Sequence, residues 1–358
     1  MVPPASQNPS WLALVFAGTV PLAVIGLGML VVRAARRAHR SASRLRSGDL
    51  FRLFSGRLAG RVRDPELRRA AAHIEHEPFW DALEAIASTL RPSERLELAR
   101  SLARSGHVAH ERRVLCSAEP PARREQAARR LGLLPSVRSR KLLRRALVHG
   151  PENVSFAAAR ALARYRDLKS LRWVLEHPAA ISHRPMPALS GLLRAYGPAA
   201  RAMLIAALER GVADPRVECA CVDALGVARC LSARGSITAR LKSPHLELRV
   251  AAARALGRLG MGEAIPVLAI ALTDPQWPVR ALAAQALGRL SAAPAVDALA
   301  TSVADRSWWV RHHAAYALAA IGNDGLDALC EIAAHSDDLY AREMAREALE
   351  SGDSSRLA

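Results

Sequence analysis

Between Ser243 and Gly352 the sequence repeats itself at one fixed spacing, and this limits what the chain can fold into more than any other feature. A slide of 31 carries Arg249 onto Arg280, Arg311 and Arg342, and Leu248 onto Val279, Val310 and Ala341. It carries Ala252 onto Ala283, Ala314 and Ala345, and Leu256 onto Leu287, Leu318 and Leu349. One step upstream the pattern continues at Val217, Cys221, Ala224, Leu225 and Gly226. A period of this size marks a solenoid, in which each unit buries its apolar face against its neighbours.

Within a unit, Val279, Ala283, Ala286, Leu287 and Leu290 fall on one stripe of an α-helix. Asp274-Pro275 supplies a cap acceptor and a break before that stripe, while Gly260 and Gly322 suit helix ends. A shorter apolar run follows, such as 264–272 or 294–303, so each unit is expected to be a pair of helices. No strand pattern is present.

These residues also carry a family resemblance. Asp274-Pro275-Gln276-Trp277-Pro278-Val279-Arg280 with Ala283-Ala284-Gln285-Ala286-Leu287-Gly288 resembles the HEAT-like repeat of the phycobilisome-lyase type. Ser243 to Val250 with Ala255-Leu256-Gly257, and Asp305 to Arg311 with Ala317-Leu318, do so as well. The chain as a whole is similar to membrane-anchored bacterial HEAT-repeat proteins. The resemblance is good over 214–352 and blurred upstream, where Asp64-Pro65-Glu66-Leu67-Arg68 begins the first recognisable unit. The expected fold is therefore all-α: about nine HEAT-like helical hairpins over 64–352, preceded by one transmembrane helix, with a short tail at 353–358. Such repeats occur in scaffolds, lyases and hydroxylases, so the architecture leaves activity open.

The expected membrane helix is Trp11 to Val32, a run without a single charge. At 1.5 Å per residue it reaches roughly 33 Å, enough for a hydrocarbon core of about 30 Å. Residues 1–10 hold no basic side chain, and no small-x-small cleavage site closes the run, which argues against a cleaved signal peptide. Arg33, Arg36, Arg37, Arg40, Arg44 and Arg46 follow immediately. The positive-inside rule then predicts a single-pass inner-membrane protein with its N-terminal tail outside and the repeats in the cytoplasm. Five cysteines without framework spacing fit a reducing compartment. The basic segment 33–63, with Phe51 and Phe54 among its arginines, is expected to lie on the anionic inner leaflet.

The formal net charge is +18, which raises nucleic acid as a partner. The basic stretch Arg112 to Arg145 has no interleaved aromatics for base stacking, however, and Arg is the common surface residue throughout. Nucleic-acid binding is thus kept only as a secondary alternative.

Enzyme signatures are equally thin. Cys219, Cys221 and Cys230 suggest a metal set, but Cys221 occupies the small buried slot of Ala252 and Ala283. His76-Glu77 and His110-Glu111 are the only His-Glu pairs, too few for the di-iron centre of deoxyhypusine hydroxylases. No metal, cofactor or catalytic residue is predicted. A phycobilin-lyase-like activity stays as the alternative enzyme class, because the repeat does not define that site.

The arginine ladder Arg249, Arg280, Arg311 and Arg342 recurs beside Asp274 and Asp305 and is read as pairing between units. Trp277 and Trp308 stand one period apart and project from the same edge; Trp309 doubles the second. With His312 and Tyr316 they form the expected contact surface for a protein partner. The functional expectation is a non-catalytic, membrane-tethered interaction scaffold. Its resemblance implies accessory work beside membrane or envelope machinery.

Overall fold

A computed structural model of the chain describes residues 51–356 except Ser88 and Ala118. The expected span Trp11–Val32, the tail before it and the arginines from Arg33 to Arg46 lie outside these residues. Among the described residues every regular element is helical, and no helix is long and apolar enough to cross a membrane.

The described residues form two compact units: those from 51 to Glu111 together with Leu133–Ser136, and Arg112–Gly132 together with 137–356. The first unit holds a helix at 51–58, then Asp64–Ala72, His76–Ala87, Pro92–Leu102 and the start of Gly106–Cys116. Its core is built from Phe54, Leu67, Phe79, Trp80, Leu83, Leu98 and Leu102, all fully or almost fully buried. Within the expected leaflet segment 33–63 this corrects the role given to Phe54, whereas Phe51 is exposed. Phe54 has no exposed surface and packs edge-to-face on Phe79 at 6.2 Å, so it is a core residue. Arg57 donates to Asp64, Glu97 and the hydroxyl of Ser101 instead of facing outward. Burial of this phenylalanine is worth about 1.5–3 kcal/mol.

In the second unit, helices pair in sequence order and the first helix of each pair packs on the first helix of the next. Pro215–Val227, Leu246–Leu259, Trp277–Arg289, Trp308–Ile321 and Leu339–Arg356 form this row. Ala252, Ala283, Ala314 and Ala345 are buried along it, as are Leu256, Leu287 and Leu318. Backbones come unusually close at one register position. A Cβ placed on Gly226 would lie 2.7 Å from the Cβ of Ala255, and one on Gly257 would lie 2.7 Å from that of Ala286. At Gly288 the clash is with the Cα of Ala317 at 2.8 Å, and at Gly132 with the Cβ of Ala161 at 2.9 Å. The glycines are there because nothing larger fits between adjacent helices.

Each pair turns at a left-handed residue, also in register: Arg229, Gly260, Ser291 and Gly322, with φ of 45°, 74°, 46° and 106°. Two of the four are not glycine, and an L side chain in that region costs about 1–2 kcal/mol.

Gly257→Ala is expected to lower stability by about 1–3 kcal/mol through overpacking, read from the urea midpoint. Gly235→Ala, where a Cβ meets open space, is the matched control and should leave stability unchanged or raise it by up to about 1 kcal/mol. An unchanged midpoint in Gly257→Ala would show that the helices can move apart freely.

Candidate interaction edge

The starts of the Trp277–Arg289 and Trp308–Ile321 helices are each organised by one aspartate. Asp274 accepts from the backbone N–H of Gln276 at 2.9 Å, which orders the turn into the Trp277 helix. The same carboxylate takes a forked pair from Arg249 of the previous unit, at 2.8 and 3.2 Å. Asp305 repeats this with the N–H of Ser307 at 2.8 Å and with Arg280 at 2.7 and 2.8 Å. Each arginine also reaches backward, Arg249 to the carbonyl of Ser243 at 3.0 Å and Arg280 to that of Asp274 at 2.8 Å. Planar two-point pairing fixes both distance and orientation between units. Burial alone would raise the Asp305 carboxyl, but the Arg280 fork and the Ser307 N–H hold it below the usual carboxylate range.

The ladder changes at both ends. Ser336 stands where a further aspartate would be, and Arg311 places its guanidinium 5.2 Å from the ring centre of Tyr340 while bonding to the carbonyl of Asp305 at 3.0 Å. Arg342 has a buried Nε with no hydrogen-bond partner among the described residues. One unit upstream the charges are exchanged: Glu218 occupies the arginine position and accepts from Arg240 at 2.8 and 3.0 Å.

With the helix starts fixed, the side chains just beyond them are presented in line. Trp277, Trp308 and Trp309 are 45 %, 46 % and 52 % exposed. Leu339 and Tyr340 continue the same register at 54 % and 64 %; the same slide applied to Trp308 and Trp309 finds them. Trp308 meets Trp309 edge-on at 4.9 Å and stacks on His312, also at 4.9 Å. His312 in turn lies 4.4 Å from Tyr316, whose hydroxyl meets Ser351 at 3.1 Å and Glu347 at 3.4 Å. Trp308, His312 and Tyr316 recur at every fourth position, so the stack follows one face of one helix. His312 and Tyr316 are half-buried and act as backing for the exposed tryptophans.

A separate groove of about 390 Å³ lies across the first helices of three units, with Cys219, Asp223, Arg254 and Arg258 in its lining. Arg258 pairs with Asp223 at 2.6 Å, and burial pushes the thiols of Cys219 and Cys221 up to about 12. Such thiols are poor nucleophiles and poor metal ligands at neutral pH. Among the described residues no group of three or more His, Cys, Asp or Glu is arranged to hold a metal ion. Several arginines of the basic stretch have partners inside the chain: Arg124 bonds the carbonyl of Leu115, Arg129 pairs with Glu125, and Arg144 forks onto Asp167.

Residues 201–278 and 265–350 match the family model for HEAT repeats. No curated protein matches the chain. Solved structures that the chain resembles in part include an engineered protein, 19 % identical over 85 % of this chain and 99 % of that one, with a TM-score of 0.40. Human deoxyhypusine hydroxylase in complex with glycerol is 19 % identical over 88 % and 99 %, with a TM-score of 0.31. The Escherichia coli protein YibA is 15 % identical over 81 % and 97 %, with a TM-score of 0.38. At TM-scores below 0.5, none of these likenesses bears on function.

Asp305→Ala should cost about 1–3 kcal/mol, because it frees both the Arg280 fork and the Ser307 N–H; thermal or chemical unfolding measures it. A second expectation concerns His313, whose imidazole is held below its ordinary value by burial and then by His312 and Arg289. The unfolded chain therefore binds this proton more readily, and stability should fall as pH drops through about 6.5. In His313→Gln that part of the pH dependence should vanish.

Proposed function

We propose that this chain, which carries HEAT repeats over residues 201–350, is a non-catalytic scaffold that binds a protein partner through its aromatic edge. The observation carrying the proposal is the run of five large apolar side chains, Trp277, Trp308, Trp309, Leu339 and Tyr340, left exposed at matching positions of three successive helices. Elsewhere in the first two of these helices Val279, Leu287, Val310 and Leu318 are fully buried, so the exposure is selective. Aromatic side chains on a rigid backing lose little freedom on contact and bury a large area, which is why they anchor interfaces. Their regular spacing suits a partner that is itself extended or repetitive, since several modest contacts in line add up.

Tethering belongs to the same proposal. The uncharged stretch Trp11–Val32 followed by Arg33, Arg36, Arg37, Arg40, Arg44 and Arg46 supports a single span with the repeats on the cytoplasmic side. A tethered scaffold raises the local concentration of its partner at the inner membrane, consistent with an accessory role beside membrane or envelope machinery.

The test is co-purification from detergent extracts through a C-terminal tag, comparing the native chain with Trp277→Ala, Trp308→Ala and Trp309→Ala combined. The expected result is loss of a partner at unchanged expression and helicity. An identical partner set in the triple variant would overturn the edge reading, and a chromophore bound to the purified protein would favour the lyase class.

A further inference from the structure

The first unit holds a cluster that the repeat edge does not use. His76 opens the His76–Ala87 helix, and His107 stands one full period later, at the start of the Gly106–Cys116 helix. The slide that aligns the later repeats thus brings two imidazoles to equivalent places in neighbouring pairs. Their Nδ1 atoms face each other at 3.2 Å. Each ring is held from behind: His107 donates its Nε2–H to the carbonyl of Ala71 at 2.9 Å, and the Nε2 of His76 lies 2.6 Å from the carboxylate of Glu111. Glu111 is buried, and His107 stacks on Phe79 at 4.2 Å with a tilt of 13°. Neither ring can turn without breaking one of these contacts.

Hydrogen-bond accounting restricts what can lie between the two Nδ1 atoms. Because the Nε2 of His107 is a donor, the Nδ1 of the neutral ring carries a lone pair. The gap can then be filled by a proton on His76, or by a cation that both lone pairs share. A tetrahedral ion with metal–nitrogen distances of about 2.0–2.1 Å places two of its nitrogens about 3.3 Å apart, close to the separation observed. The backing groups are also of the kind that accompany ligating histidines, a main-chain carbonyl for one ring and a carboxylate for the other.

We propose that the facing Nδ1 atoms of His76 and His107 bind one divalent late-transition-metal ion such as Zn²⁺, with Glu111 and the Ala71 carbonyl positioning the rings. Two imidazoles select a borderline metal over Mg²⁺ or Ca²⁺, which take oxygen ligands. With two protein ligands, water completes the coordination. The site takes His76 and Glu111 from the two His-Glu dipeptides singled out in the sequence and adds His107, which belongs to neither.

Titrating the metal-free full-length protein with zinc sulfate in a calorimeter tests this. One equivalent should bind, and binding should be lost in His76→Ala and in His107→Ala. Glu111→Gln should weaken it about 10–100-fold, the usual effect of removing the group behind a ligating histidine. Paired changes His312→Ala and His313→Ala, in the other unit, should leave it intact. Removing the His107 ring from Phe79 could unfold the first unit, so ring-nitrogen NMR of the unaltered protein gives a second readout. Zinc should shift the Nδ1 resonances of two histidines together. Absence of binding, equal binding by the His107→Ala protein, or unshifted ring nitrogens would show a plain hydrogen-bonded histidine pair and overturn the assignment.

Discussion

The second unit depends on how closely one helix can approach the next. At Gly226, Gly257 and Gly288 the neighbouring backbone occupies the space of a side chain, 2.7–2.8 Å from where a Cβ would sit. Close approach increases dispersion contact along the buried alanines and leaves no slack for the helices to slide. Once the spacing is set this tightly, everything attached to the helices repeats with it. The forked pairs of Arg249 with Asp274 and Arg280 with Asp305 tie successive units together at the helix starts, and the residues beyond them come out in line.

That chain of causes connects a packing constraint to a surface. Asp274 and Asp305 each serve two elements at once, capping the turn ahead and holding the arginine behind. The tryptophans just beyond them therefore inherit their positions from the core. Where the aspartate is replaced by Ser336, the arginine turns to Tyr340, and the edge gains an aromatic platform in place of an ion pair. The exchanged pair of Glu218 with Arg240 shows that an ion pair at this joint can be made in either order.

Much of this is legible in the repeat period, and for a physical reason. Alanine, leucine and arginine positions are tied to the helix stripe, and the stripe must recur if successive units are to pack alike. Other features are hidden. Gly257 reads only as part of the repeated Ala-Leu-Gly pattern, but its role is contact with Ala286, which only the neighbouring helix reveals. Ser291 and Arg229 occupy left-handed turns that sequence assigns to glycine, because the units on both sides hold the turn in place. Phe54 reads as a membrane-facing residue in a basic stretch, yet its partner Phe79 belongs to the second helix further along, where no repeat is visible. The facing of His76 and His107 is masked by the adjacent His-Glu dipeptides, since only the slide itself, carried into the blurred early units, pairs the two rings.

The central claim is that one register fixes both the packing and a surface used for contact. It is tested most directly by installing a photoreactive side chain singly at positions 277, 308 and 340, and at Ile270, which is 71 % exposed on a second helix. Illumination in intact cells should join the three edge positions to the same protein and leave position 270 without that adduct. Equal labelling from all four positions, or no protein adduct from the edge, would contradict the account.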